Sequence, residues 1–322
     1  MTTPFRVGIM GAGRMAQGFD QPGDSSVLTL AHAVQKSPLL TLGGFYDNLS
    51  GRAEAAERKW GCPPSPRDRE AWLDTAWDLI FIATPDACHA ADLADAIARK
   101  PRGVLVEKPL ATEAPVAARL LRQAGDSAVA LVTDFPRRWH TGVAHIAARL
   151  ASGDLGHPSR IVGTYSGGLL HNGVHLLDLI AAWVPGVERI ERLGQTSGAV
   201  WLELSASGRE TELFLAESPL RDGYSFALTL HTDRARIDLD GAPETLTLLT
   251  KAAHPNYPDF PTLRPVATWP MEDEPLLTRA VETLAGLARD PAAAAHQLAR
   301  EIERERFFGL VFDSLKPQPK NS

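Results

Sequence analysis

Through residues 1–134, short runs of apolar residues alternate with stretches of helical period. Phe5–Met10, Leu40–Tyr46, Trp77–Ala83, Gly103–Val106 and Ala128–Val132 are apolar, short and bounded by turn residues. That pattern predicts strands buried on both faces. The segments between them, Leu49–Trp60, Arg67–Leu73, Ala87–Arg99 and Glu113–Gln123, read as helices. Strand–helix alternation predicts an α/β Rossmann domain with a doubly wound parallel sheet over residues 1–134.

The pattern changes after Asp134. A helix is expected over Val143–Ala151, stopped at Ser152-Gly153, and an amphipathic helix over Val174–Trp183. From Ile190 to Leu249, runs such as Trp201–Ser205 and Ser225–His231 alternate apolar and polar residues. Period two of this kind marks an antiparallel sheet with one wet face. Helices are expected at Pro275–Arg289 and Ala292–Phe312, followed by a fraying tail, Lys316–Ser322. Residues 135–322 thus read as a second, α+β domain with an open, mainly antiparallel sheet. Trp201, Leu213 and Leu215 are expected on its uncovered face, which would favour assembly through that sheet into a homodimer or homotetramer.

Composition narrows the function classes. The chain has 322 residues, 44% hydrophobic and 22% charged, with a formal net charge of -6. That charge gives no basic footprint for nucleic acid and no polybasic face for a membrane. No window approaches the ~18–20 apolar residues of a membrane span. The start lacks the basic and apolar regions of a signal peptide. With two cysteines, Cys62 and Cys88, a reducing cytoplasmic setting is the expectation. Cys88 reads as a packing residue.

The chemistry gathers where strands end. Gly11-Ala12-Gly13-Arg14-Met15-Ala16 follows the first strand as G-x-G-x-x-A. Its glycines permit a tight turn and let backbone amides approach a pyrophosphate at the start of a helix. Asp47 ends the second strand, further from Gly13 than the ~20 residues of the simple fingerprint. Residues 20–37 read as an insertion with a helix over Val27–Gln35. A carboxylate at position 47 can accept hydrogen bonds from the ribose hydroxyls of NAD and would repel the 2′-phosphate of NADP; it could also simply cap the next helix. Thr84-Pro85-Asp86-Ala87-Cys88-His89 follows the next strand, and His89 either faces the cofactor or caps a helix. Glu107-Lys108-Pro109 adds a carboxylate and a cation at the same sheet edge.

In this order the motifs resemble the glucose–fructose oxidoreductase / inositol dehydrogenase / rhizopine catabolism (Gfo/Idh/MocA) family, with Glu107-Lys108-Pro109 the most specific element. Arg137-Arg138-Trp139, Gly153-Asp154-Leu155-Gly156 and Gly173-Val174-His175-Leu176-Leu177-Asp178 are similar to further family motifs. The resemblance implies an NAD(P)-dependent oxidoreductase acting on a secondary hydroxyl or ketone of a sugar, cyclitol or sugar derivative. It places the cofactor on Gly11, Ala12, Gly13, Arg14, Met15, Asp47, Thr84, Pro85, His89, Glu107 and Lys108. Lys108 would orient the reacting hydroxyl and His175 would exchange its proton. Arg138, Trp139, His171, Asn172 and Asp178 are the expected substrate contacts, with Asp178 alternatively structural. Two positions depart from the family pattern: His171 stands where an Asp is common, four residues before His175, and Pro136 where an Asn is common. These departures leave open a redox-neutral NAD-dependent glycosidase or epimerase, and a non-catalytic NAD-binding sensor. No metal is expected.

Overall fold

A computed structural model describes residues 3–219, 223–257 and 259–316; most of the expected fraying tail lies outside the described residues. The chain divides into two compact units, Met1–Pro136 with Pro275–Glu305, and Arg137–Glu274 with Arg306–Ser322.

In the first unit, β1 (Phe5–Met10), β2 (Leu40–Tyr46), β3 (Leu79–Ile82), β4 (Gly103–Glu107) and β5 (Ala130–Asp134) form a parallel sheet in the order β2-β1-β3-β4-β5. β3, β4 and β5 are buried at every residue. This is why they read as unbroken apolar runs and not as alternating ones. Helices α1 (Leu30–Lys36), α2 (Arg52–Trp60), α3 (Arg69–Leu73), α4 (Asp86–Ala98) and α5 (Ala114–Asp126) connect them. On one face, Ile80, Ile82, Val104 and Val106 meet Leu93, Ile97, Leu120 and Leu121 of α4 and α5.

Two sequence expectations are corrected here. The glycine loop does not open a long helix: residues 14–18 make one π turn, and the chain then loops out to residue 29. Buried Asp20 closes that loop, accepting from the backbone of Leu28 (2.6 Å) and from the Thr29 hydroxyl (2.6 Å). It also lies 2.9 Å from Nδ1 of buried His32. These donors hold its carboxyl below the ordinary value against the opposing effect of burial. Thr29 in turn caps α1, so the helix starts at Leu30 and not at Val27.

The second correction concerns residues 275–305, which the sequence placed with the second domain. Helix α6 (Thr141–Ala151), helix α7 (Val174–Trp183) and an eight-stranded sheet intervene, yet α8 (Leu276–Leu287) lies against β4 and β5. A Cβ at Gly103 would sit 2.8 Å from Leu284 of α8. With the helix after the glycine loop reduced to one turn, α1 and α8 together cover this face of the sheet. Helix α9 (Pro291–Leu315) then brings Arg304, which is 1% exposed, onto β5. Its guanidinium donates to the Thr133 hydroxyl (2.8 Å) and pairs with Glu301 and Glu305.

In the second unit, β6 (Pro158–Tyr165), β7 (Val187–Gln195), β8 (Ala199–Ala206), β9 (Arg209–Glu217), β10 (Phe226–Thr232), β11 (Ala235–Asp240), β12 (Thr245–Ala252) and β13 (Thr262–Pro270) form one sheet in the order β13-β12-β11-β10-β6-β9-β8-β7. All neighbours are antiparallel except β6 and β9. Burial alternates residue by residue, as in β10 and β11, so one face is covered and one is open. Trp201 is on the open face as expected, 45% exposed; Leu213 and Leu215 are not. In the register of β9 they fall on the covered face, and Phe214 between them, 40% exposed, stands beside Trp201. Among the described residues, no helix is long and apolar enough to cross a membrane.

A buried guanidinium that loses one carboxylate partner is left under-compensated, at a cost of about 3 kcal/mol. Glu301→Ala is therefore expected to lower unfolding stability by about that amount in denaturant titration, with Glu305 limiting the loss. A change within experimental error would show that Glu305 alone balances Arg304.

Candidate functional site

The five parallel strands end on one edge of the first sheet, and open α/β sheets bind ligands at that edge. Gly11 leaves β1 with φ +93°, and a Cβ there would meet the Ala83 carbonyl at 2.5 Å. Its amide donates to the Tyr46 carbonyl (2.7 Å). The turn is thus wedged between the ends of β2 and β3, and only glycine fits. Gly13 is different: a Cβ there would meet no atom within 4 Å. The loop therefore leaves open space over a bare backbone, as an approaching pyrophosphate requires. Arg14 is exposed and Met15 half-buried.

Asp47 is half-buried, and its carboxylate is anchored at both oxygens. The Ala12 amide donates to Oδ2 (2.9 Å) and the Leu49 amide to Oδ1 (2.8 Å). It does not cap α2, whose N-cap is Gly51. Each carboxylate oxygen has a further lone pair, so the anchored group can still accept ribose hydroxyls. The residues present therefore fit a dinucleotide: an open cradle at Gly13 and a fixed acceptor at Asp47.

Thr84 is half-buried; its hydroxyl donates to Asp92 (2.7 Å), which Arg69 holds from the other side (2.8 Å). Pro85 is exposed. Buried His89 points both ring nitrogens at carbonyls, Nδ1 at Pro109 and Nε2 at Thr84, each at 2.7 Å. Its ring fastens two strand-end loops together and is occupied by them. Cys88, expected to pack, is exposed on the first turn of α4. Cys62 is half-buried, and burial with the nearby Glu57 charge pushes its thiol up to about 12, so it is a poor nucleophile.

Glu107 is buried and Lys108 half-buried. Burial lowers the pKa of the Lys108 ammonium, and the charges of Glu107, Asp86 and Asp134 oppose that shift. Asp134 is the partner that the sequence did not reveal. It pairs in register with Glu107 across β4 and β5, a relation that no local motif encodes.

The second unit gathers the remaining residues. Arg138, expected at the substrate, forms a two-pronged bond to Asp178, also expected there (3.1 and 2.5 Å), and Asp178 is 1% exposed. This pair fastens α7 to the turn at residues 136–139, the structural alternative for Asp178. Arg137 makes a like bond to Glu244 (2.7 and 2.5 Å) and lies over the Phe226 ring, 4.0 Å from its centroid. Trp139 is half-buried. Residues 169–173 form a second π turn before α7, a feature frequent at functional sites. His171 on that turn is exposed, and Asn172 donates to the Ser166 carbonyl (2.7 Å), bracing the preceding Gly167 turn. His175, half-buried, meets Phe226 edge-on at 6.5 Å between centroids. Phe226 thus touches both His175 and Arg137, a role hidden in a plain strand pattern. Among the described residues, no three His, Cys, Asp or Glu side chains gather to hold a metal.

The two glycines should separate fold from binding. Gly11→Ala is expected to destabilise the protein, because its Cβ meets backbone. Gly13→Ala is expected to leave the melting temperature of the ligand-free protein unchanged while weakening dinucleotide binding at least about tenfold, roughly 1.4 kcal/mol. Thermal melts and calorimetry check both. Undiminished binding by Gly13→Ala would move the cofactor off this loop.

Residues 5–135 match the family described as "Oxidoreductase family, NAD-binding Rossmann fold" (GFO_IDH_MocA). Inositol 2-dehydrogenase of Rhizobium meliloti is 27% identical over 160 residues, and the alignment spans 49% of this chain and 44% of that protein. Solved structures share the fold over almost the whole chain at low identity. The NAD-binding oxidoreductase of Klebsiella pneumoniae has a TM-score of 0.75 at 15% identity, covering 97% of each chain. UDP-N-acetylglucosamine 3-dehydrogenase of Acidithiobacillus ferrooxidans has 0.73 at 16%, covering 98% of this chain and 100% of the other. A 3-ketoreductase of Actinomadura kijaniata, in complex with NADP and TDP-benzene, has 0.72 at 15%, covering 96% and 98%. With the glycine loop, Asp47 and Glu107-Lys108-Pro109 at one sheet edge, residues 5–135 match the model of the NAD-binding Rossmann domain of the Gfo/Idh/MocA oxidoreductases.

Proposed function

We propose that the protein is a nicotinamide-dependent dehydrogenase or reductase acting on a secondary hydroxyl or ketone of a sugar, cyclitol or sugar derivative. The observation that carries this reading is the half-buried Lys108 at the end of β4, on the edge that carries the open Gly13 loop and Asp47. A nicotinamide supplies hydride transfer when bound. Lys108 donates a hydrogen bond to the reacting oxygen. His175, held by α7 against Phe226, takes the hydroxyl proton on oxidation and returns it on reduction. The names of the similar proteins, an inositol dehydrogenase, a ketoreductase and a nucleotide-sugar dehydrogenase, support a carbohydrate-like substrate.

NAD is the preferred cofactor in this reading. The anchored Asp47 carboxylate meets the position of the ribose hydroxyls, and a 2′-phosphate there would be repelled. The test is a panel of polyols, sugars and keto sugars followed at the NADH band, with NAD and NADP compared. NAD-linked turnover is expected, falling ~10²-fold or more in Lys108→Ala and in His175→Ala at little change in cofactor affinity. Substrate conversion without net NADH would favour the redox-neutral reading, and equal use of NADP would remove the ribose role from Asp47.

The open sheet face supports self-association. One cross-strand row runs Glu191, Glu203, Glu212, Arg160, His231, Arg236, from acid to base along the register. The next row holds Trp201, Phe214 and Val162 side by side. A two-fold axis through such a face sets the acidic half of one copy against the basic half of the other around the apolar centre. Light scattering at micromolar concentration should give at least a dimer, and Trp201→Glu should give monomer. A wild-type monomer would contradict the assembly.

A further inference from the structure

β4 and β5 end side by side, with Glu107 and Asp134 as register partners. Neighbouring strands lie about 4.8 Å apart, and register partners project to the same side of the sheet. Both residues are buried, at 7% and 1% exposure. Oε1 of Glu107 and both oxygens of Asp134 accept a hydrogen bond from no other group among the described residues. A buried carboxylate without donors is costly, and two such charges at this separation are costlier still. A proton held between the two carboxyls removes both costs at once.

The charged surroundings are Lys108 on the following turn, whose partners include Glu107, Asp134 and Asp86, and His89 on α4, which acts on Glu107. Helix α8, covering β4 and β5, carries Arg279 and Glu282. Burial, then the neighbouring Asp134, pushes Glu107 well above the ordinary carboxylate range. Burial also pushes Asp134 up to about 7, against the opposing effects of the Glu107 bond and of Lys108.

We propose that Glu107 and Asp134 share one proton, and that the single negative charge left on the pair keeps Lys108 in its ammonium form. Asp134 is then a positioning residue, acting on the reacting oxygen only through Lys108. The functional consequence rests on the role proposed for Lys108 above; the pair itself does not.

The full chain tests this without any substrate. At pH 8, its infrared spectrum should contain the carbonyl band of a protonated carboxylic acid, shifted in heavy water and absent from the double variant Glu107→Gln/Asp134→Asn. Competitive acetylation across pH, read by mass spectrometry, should show Lys108 losing its proton at lower pH in the double variant than in wild type. Should that variant fold poorly, Asp134→Asn carries the test by thermal melts. A carboxyl raised in the folded state contributes stability below its unfolded pKa that is lost as pH rises through the folded value. Removing it should therefore raise the melting temperature more at pH 8 than at pH 5. No carboxylic acid band in wild type, or Lys108 titrating alike in both proteins, would overturn the proposal. An inactive protein that passes these tests would sink the dehydrogenase reading and leave the pair standing.

Discussion

Five short parallel strands covered on both faces have nowhere to put polar side chains except at their ends. In the first unit that constraint sorts the sequence. β3, β4 and β5 are buried throughout, and the polar residues follow directly at one edge: Gly11 to Gly13, Asp47, Thr84, Lys108. In these three strands the exceptions are Thr133, whose hydroxyl meets α9, and the carboxyls of Glu107 and Asp134 in the last residues of β4 and β5. Buried polar atoms need partners. Asp47 finds two amides, His89 two carbonyls, and Arg304 a hydroxyl and two carboxylates. The bonds of Asp47 to Ala12, of His89 to Thr84 and Pro109, and of Arg304 to Thr133 also join separate segments, so polar satisfaction and loop placement are linked here.

The ties differ in what they leave free. His89 spends both ring nitrogens on the loops of Thr84 and Pro109 and offers nothing further to a ligand. Arg138 and Asp178 hold each other in a two-pronged bond. Asp47 retains lone pairs, Gly13 retains space, and Lys108 sits half-buried where its charge is contested by burial and by three carboxyls. The roles proposed for holding the cofactor and for orienting the reacting oxygen fall on this second group.

Much of this was legible in the chain. Unbroken apolar runs gave the parallel strands, and period two gave the antiparallel sheet, because burial on both faces or on one leaves those signatures. The motif residues stand at strand ends because such loops tolerate glycine, proline and charge. What was not legible came from contacts distant in sequence. Asp134 meets Glu107 through strand register, Phe226 meets His175 and Arg137 across the second unit, and α8 returns to β4 after a whole sheet has intervened. Leu213 and Leu215 were placed on the wrong face because a one-residue error in register inverts a strand. The helix after the glycine loop was expected from the motif, but Asp20, Thr29 and His32 organise a loop there instead.

If the carboxyl edge of the parallel sheet holds a nicotinamide dinucleotide, hydrogen exchange read by mass spectrometry shows it most directly. On adding NAD, peptides containing residues 11–15, 47–49, 84–89 and 107–109 should gain protection together, the first two most strongly. Saturating NAD that binds by calorimetry yet leaves these peptides unprotected, or protects a different set, would contradict the account.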